Sequence, residues 1–308
     1  MSIAAALGDA LHEENQQKQE PPKGRRAKLM PYLLMLPGLL WLGVFFVIPL
    51  VSLFLTSLQT PVVGGQVGQF EQTFNFANYI DTLTDSTYYI PLFRSFVYSA
   101  IATILALSIG YPLAYAIAFK AGKYRNLLLI MVIAPFFVSF ILRTIAWRQI
   151  LADEGPVVAV FRSLGLISET GGLYPSAFAV VMGLTYNFLP FMTLPIYASL
   201  ERVDPRLVEA AGDLYASPFT GFRKVTFPLS MPGVVAGTLL TFIPAAGDYV
   251  NAALLGRPSN TMIGNRIEYT FLSVNDYPTA AVLSFILMVS ILIMVLVYIR
   301  RVGTEDLV

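Results

Sequence analysis

Residues 199–234 read SLERVDPRLVEAAGDLYASPFTGFRKVTFPLSMPGV. Acids and bases are interspersed through this stretch, from Glu201 and Arg202 to Arg223 and Lys224, yet it lies between two long apolar runs, 176–199 and 231–255. A passive connection between helices needs only a few residues, so about thirty polar ones make an element in their own right. Asp204 is a good N-cap, and Pro205 suits the first helical position. Leu207, Ala210, Ala211 and Leu214 then recur at helical spacing. Ser217–Pro218 is expected to break that helix, a second turn to cover 218–224, and Pro228 to stop it before Ser230–Met231–Pro232 opens the next apolar run. Two short amphipathic helices with a bend form a compact knob. Ala210, Ala211 and Ala216 make one face of it small enough for close approach of a partner surface.

Outward from the knob, the chain is mostly apolar. Six runs have about the 20 residues needed to span a bilayer: 31–58, 95–119, 126–147, 176–199, 231–255 and 277–299. Apolar residues make up 56% of the 308 and charged ones 13%, about half the share of a soluble domain. Lipid is the natural solvent for such an excess. The expected fold class is an all-α integral membrane protein with six transmembrane helices. If the N-terminus is inside, fourteen of the 20 lysines and arginines fall on inner segments, which include the knob; the reversed orientation violates the positive-inside rule. Residues 1–30 are then a cytoplasmic tail expected to be disordered, 31–300 the membrane domain with its cytoplasmic loop at 200–230, and 301–308 a cytoplasmic C-terminal tail. The first apolar run is too long for a signal-peptide core and reads as a retained anchor. Among outer segments, 59–93 carries acids and no base. Residues 148–175 hold a candidate interfacial helix with Val157, Val158, Val160, Phe161, Leu164 and Leu166 roughly on one face.

The inventory excludes several chemistries. There is no cysteine, and the single histidine, His12, lies in the polar tail, so thiolate metal sites and histidine-based catalysis have no residues to use. No paired carboxylates fall within the runs, and no enzymatic constellation is visible. Net charge is +1 with scattered bases, which points away from nucleic acid. No G-x-x-x-x-G-K-[ST] segment is present to cradle ATP phosphates.

Glu209-Ala210-Ala211 followed by Val225-Thr226-Phe227-Pro228 resembles the EAA loop of permease subunits of type I ABC importers. The likeness extends to the order of the six runs, to LPGLLWLGVFFVIPL near the start and to TIAWRQIL after the third run. It implies that the knob docks in a cleft of a cytoplasmic ATPase dimer through Glu209, Ala210, Ala211, Asp213, Tyr215, Pro218, Phe222, Arg223 and Pro228. It also implies a second permease, expected to be a paralogue, and an extracytoplasmic substrate-binding protein. ATP and Mg would be bound by the ATPase, with no cofactor in this chain, and the location would be a bacterial inner membrane. Two positions depart from the family pattern: Tyr215 stands where a glycine is usual, and Phe227 where a leucine precedes the proline. The bend is therefore expected to form through Ser217–Pro218, because tyrosine adopts left-handed backbone angles less cheaply than glycine.

FIPAAGDYVNAALLGRPSNTMIGNRIEYTF, residues 242–271, is similar to the spermidine/putrescine branch, which implies a permease that moves a polyamine by alternating access. Importers of iron, opines and other organic cations share parts of the pattern, and a secondary transporter is the rival of another class. An ionisable residue within a span costs at least about 2.5 kcal/mol at the bilayer centre, so it faces a cavity or a partner. Asp248 is such a residue, with Tyr249 and Asn251 beside it as a ring face and an amide oxygen for an ammonium group. The alternative places Asp248 at the outer interface, paired with Arg257 or capping a helix. Tyr186, Asn187 and Trp147 are further candidates for the pathway, although aromatics at span ends also serve as packing and interface anchors. Arg143 is expected to snorkel or to be paired.

Overall fold

The computed structural model describes residues 25–168 and 171–302. Expectations for the tail up to residue 24, His12 included, and for 303–308 lie outside the described residues. The chain divides into two units, one ending at Phe54 and one starting at Leu55.

The first unit is helical. Helix α1 (Arg25–Leu42) passes through a π turn, Gly43–Val47, into α2 (Ile48–Ser57). Residues 25–30, read from the sequence as part of the tail, are therefore helical. Trp41 and Phe45 pack ring to ring at 4.2 Å. Leu39, Trp41, Phe45 and Phe46 are all more than half exposed. Such an apolar surface calls for lipid as its solvent.

The second unit opens with a hairpin of β1 (Gln59–Pro61) and β2 (Phe70–Gln72), paired antiparallel, followed by α3 (Ala77–Thr84). Its centre is three helices: α4 (Ser86–Tyr115), α8 (Ala177–Glu201) and α12 (Met231–Ala246). Glycine lets α12 and α8 approach. A Cβ on Gly233 would lie 2.5 Å from the Pro195 carbonyl oxygen, and one on Gly237 2.9 Å from that of Met192. Small residues at such contacts substitute close van der Waals packing for the hydrophobic drive that lipid removes. The core splits into two clusters along this bundle. One lies around Leu184, Phe188, Ala245 and Leu255, the other around Tyr111, Met192, Ile196 and Leu200.

Among the described residues, four helical segments are long and apolar enough to cross a membrane: Leu34–Ser57, Ser86–Lys120, Ala177–Glu201 and Tyr277–Arg301. The count rises to six if each of two bent pairs is one span. The third expected span is such a pair. Gly122–Phe137 and Phe140–Ile150 meet at 97°. The chain tightens to a 3-10 turn at Ala134–Phe137, and Val138 turns extended (φ −93°, ψ 138°). The straight run 126–147 is corrected to α5 (Arg125–Ile133) and α6 (Phe140–Ile150).

The fifth expected span is shorter than the apolar run suggests. It ends at Ala246, Gly247 and Asp248 interrupt the helix, and Val250–Leu255 forms a separate α13. At its other end Pro228 does not stop the preceding element, because it falls in the first turn of α11 (Phe227–Leu229). There a missing amide hydrogen costs nothing. The 63° bend comes two residues later, at Ser230.

Helix α7 (Pro156–Ser163) forms where a short amphipathic helix was expected, but only part of the proposed face is inward. Val158 is fully buried, and Val157 and Phe161 are half-buried, whereas Val160, Leu164 and Leu166 are exposed. The chain closes with α14 (Ile263–Tyr269) and α15 (Tyr277–Val302).

Candidate functional site

The connector of residues 202–230 folds as α9 (Pro205–Asp213), α10 (Pro218–Gly221), a π turn at Phe222–Thr226 and α11. Asp204 Oδ1 accepts the Arg206 amide at 2.9 Å, and the Ser217 hydroxyl accepts that of Thr220 at 3.3 Å, so each helix carries its own cap. Between them the chain turns through Tyr215, whose φ is +58°. Its amide donates to the Gly212 carbonyl at 2.9 Å, and that of Ala216 to Ala211 at 3.1 Å. This is a Schellman closure with tyrosine in the left-handed position that glycine usually takes. The expectation that Ser217–Pro218 would replace that geometry is thus corrected. Ser217 starts the next helix, and Tyr215 makes the bend. A left-handed non-glycine residue costs about 1–2 kcal/mol, and here that cost buries nothing, since the Tyr215 side chain is 99% exposed.

The nine connector residues proposed from sequence divide into two sets. Glu209, Ala210, Asp213, Tyr215, Pro218, Arg223 and Pro228 are exposed. Leu214, named from the sequence only for its helical spacing, is 81% exposed, and Phe219, which the sequence did not single out, is 71% exposed. Ala211 and Phe222 instead turn toward their own chain. A Cβ on Gly221 would lie 3.8 Å from that of Ala211, so this small face seats α9 on α10. Phe222 is half-buried, with its ring 5.7 Å from Tyr111, 6.1 Å from Tyr115 and 6.1 Å from Phe227. Phe222 thus pins the connector to the core, together with the buried Val203, Thr226 and Ser230, while most of α9 is exposed.

A second constellation forms where α6, α8 and α13 meet. Asn187 Nδ2 donates to Thr144 Oγ1 at 3.2 Å and to Asn251 Oδ1 at 3.1 Å. Asn251 Nδ2 donates to Asp248 Oδ2 at 3.2 Å, and the Asn251 amide donates to Asp248 Oδ1 at 2.8 Å. Thr144, Asn187 and Asn251 are buried, and Asp248 is 8% exposed. Asp248, just before α13, thus accepts from the first turn of that helix inside the protein, with no salt bridge to it among the described residues. Asn187 Oδ1 is buried without a hydrogen-bond partner among them. Beside this network, Trp147 and Tyr186 pack edge to face at 5.4 Å, both half-buried.

The network brings together Asp248, Asn251 and Asn187, three of the six pathway candidates, with the Trp147–Tyr186 pair alongside. Tyr249 contributes its backbone. Its carbonyl accepts Asn265 Nδ2 at 2.8 Å, while its side chain is 46% exposed. Thr144 was missed, because one threonine on an apolar helix carries no signal until the fold sets it against two asparagines. Arg143, expected to snorkel or to be paired, has no ion pair among the described residues. It is 8% exposed, its guanidinium lies over the rings of Phe136 (5.2 Å) and Phe140 (5.6 Å), and Nε and Nη1 have no partner among the described residues.

A family model for binding-protein-dependent transport system inner membrane components matches residues 28–302. The chain belongs to this family. It is a transporter permease subunit of the inner membrane. It is 36% identical over 260 residues to the spermidine/putrescine transport system permease protein PotB of Escherichia coli K12, covering 84% of this chain and 93% of PotB. Over 108 residues it is 39% identical to PotC of the same organism, covering 35% of this chain and 40% of PotC. Its fold matches, with TM-score 0.67 and 17% identity over 91% of this chain and 96% of the other, a crystal structure of a bacterial alginate ABC transporter in complex with a periplasmic protein carrying an alginate pentasaccharide. The permease therefore has the type I ABC importer permease fold, mostly helical, with the β1–β2 hairpin as the departure from the all-α expectation.

Proposed function

We propose that this permease is one transmembrane half of an ATP-driven importer that carries a polyamine, spermidine or putrescine, into the cell by alternating access. The observation that carries the reading is the 36% identity to PotB over 93% of that protein. In the proposed assembly a second permease, a paralogue, completes the pathway. A soluble binding protein delivers substrate from outside, and a cytoplasmic ATPase dimer binds ATP and Mg. Both termini face the cytoplasm. The likeness to PotC as well as to PotB supports a heterodimer of related permeases.

The two constellations then take separate roles. The connector is the handle. Glu209, Asp213 and Arg223 form its charged rim, and Leu214, Tyr215 and Phe219 its apolar contact. When ATP closes the ATPase dimer, the surface holding the handle moves and the core helices follow. The buried network is the cation site. Asp248 supplies a carboxylate, and Asn187 Oδ1 supplies an acceptor with no other partner among the described residues. An ammonium group has three donors and no acceptor, so it matches a cluster that offers oxygens. Trp147 and Tyr186 add ring faces, and a desolvated cation–π contact is worth about 2 kcal/mol.

The test is transport. The permease is co-purified with its ATPase, second permease and binding protein, and the complex is placed in proteoliposomes. Labelled spermidine and putrescine should accumulate only with ATP inside the compartment that holds the ATPase. Accumulation driven by an ion gradient without ATP would overturn the ATP-driven reading. ATP-driven uptake of a different solute class, with no competition by polyamines, would overturn the substrate assignment.

A further inference from the structure

Where the connector meets the core, one buried contact joins three helical elements. Tyr111 on α4 pairs its hydroxyl with Ser230 Oγ at 2.8 Å, and Ser230 is fully buried. Ser230 Oγ donates its own hydrogen to the Phe227 carbonyl at 2.9 Å. A serine has one such hydrogen, so the Tyr111 hydroxyl is the donor in the Tyr111–Ser230 bond. Ser230 is also the break between the segment Pro218–Leu229 and α12, which meet at 63°. Pro228 and Pro232 flank it. Each lies in the first turn of its helix, and Ser230 keeps backbone bonds on both sides of the bend, its amide donating to the Thr226 carbonyl at 3.0 Å and its carbonyl accepting the Val234 amide at 3.2 Å. To these bonds along the chain Tyr111 adds a side-chain tie from another helix.

The ring of Tyr111 holds the connector as well. It lies 5.7 Å from Phe222, edge to face, and 5.8 Å from Phe227. Its neighbour Gly110 sits against α8, where an added Cβ would lie 3.0 Å from Thr193 Oγ1 and 3.3 Å from Met192. A displacement of the connector is thus passed to α12 through Ser230 and to α4 through Tyr111, and α4 is packed on α8. The rings transmit compression. The hydrogen bond adds direction, because ring contacts slide at little cost whereas a buried hydroxyl that loses its partner is left unsatisfied.

We propose that Tyr111 is a positioning residue for energy coupling, acting through its hydrogen bond to Ser230 to make the connector and the core helices move as one body. The proposal rests on the connector being the handle of the ATPase. It requires that loss of the Tyr111 hydroxyl leave the protein folded and the ATPase turning over while work is no longer delivered.

The experiment compares Tyr111→Phe, Ser230→Ala, the double variant and Glu209→Lys in the complete transporter in proteoliposomes. ATP hydrolysis and substrate uptake are measured together, per complex recovered. Tyr111→Phe should lower substrate imported per ATP by about tenfold, the size of effect one buried hydrogen bond carries, with hydrolysis within about twofold of the parent. The double variant should be no worse than the single ones, since both remove the same bond. An unchanged uptake per ATP in Tyr111→Phe overturns the proposal, as does a double variant whose loss is the product of the two single losses. Poor assembly with a normal ratio in the complexes that form assigns Tyr111 a purely structural role and also overturns it. Glu209→Lys separates the two levels. If it retains coupled uptake, the handle reading itself fails; if it uncouples while Tyr111→Phe does not, only the role of Tyr111 is lost.

Discussion

Asn187 on α8 donates its amide to Asn251 on α13 at 3.1 Å, across 64 residues of sequence, and through Asn251 it holds the carboxylate of Asp248. Each member is buried, so each bond is made where water cannot replace it. The carboxylate has its orientation set by groups that are themselves held by the fold, which is what a binding site for a charged substrate requires.

The first prediction follows from that chain of bonds. Asp248→Asn keeps the shape and the cap acceptor on α13 but removes the charge. Uptake of a dication should fall by at least about tenfold, mostly as a raised KM, with assembly unchanged, because a charged hydrogen bond contributes more than a neutral one. Asn187→Leu should instead lower stability by about 1–3 kcal/mol, the cost of leaving buried polar partners unsatisfied. Uptake kinetics and thermal unfolding of the purified complex distinguish the two. Unchanged kinetics in Asp248→Asn would remove that residue from the pathway.

The connector predicts a different phenotype. Glu209 is exposed on α9, away from the buried faces. Glu209→Lys, or deletion of 209–216, should abolish ATP-dependent uptake while the membrane helices remain folded by circular dichroism and the complex keeps its thermal midpoint. Full uptake in either variant would count against the handle.

Tyr215 combines a left-handed backbone with a fully exposed ring. Glycine adopts that backbone without strain, so Tyr215→Gly should leave the isolated permease as stable or more stable, by up to about 1 kcal/mol. It should nevertheless weaken association with the ATPase, measured by co-purification at rising salt and detergent. Association equal to that of the parent would show that the ring has no partner.

Asp85 gives a pH-dependent signature. Its carboxylate caps α4 by accepting the Thr87 amide at 2.7 Å, and that hydrogen bond holds its pKa below the ordinary aspartate range. A lowered folded-state pKa means the folded form binds its proton less readily than the unfolded one. The stabilising contribution is therefore complete above the ordinary value and is lost as pH falls through the lower one, below about pH 4. Amide protection at Thr87–Tyr89, as the ratio of intrinsic to observed exchange, should fall across that range in the parent and stay flat in Asp85→Ala.

Much of the architecture was legible along the chain because its causes are local. Asp204 and Pro205 start α9, and Ser217 starts α10, by interactions within a few residues of each. The breaks were harder to place. Pro228 looked like a terminator and sits in a first turn, while the bend falls at Ser230, whose hydroxyl is tied to a tyrosine 119 residues earlier in the chain. Phe222 looked like a partner contact for the same reason. Helical spacing assigns a residue to a face, and only packing decides what that face meets.

Composition, apolar run lengths, the distribution of basic residues and the length of the 199–234 connector were enough to determine a helical membrane protein with a long polar connector, because each reflects the free energy of placing a residue in lipid or in water. The tertiary structure alone decided that Thr144, Asn187, Asn251 and Asp248 share one hydrogen-bonded cluster, that Tyr215 carries the bend and that Arg143 is buried. Those outcomes depend on contacts between residues distant in sequence, or on backbone strain that surrounding structure holds in place, and no local pattern encodes either.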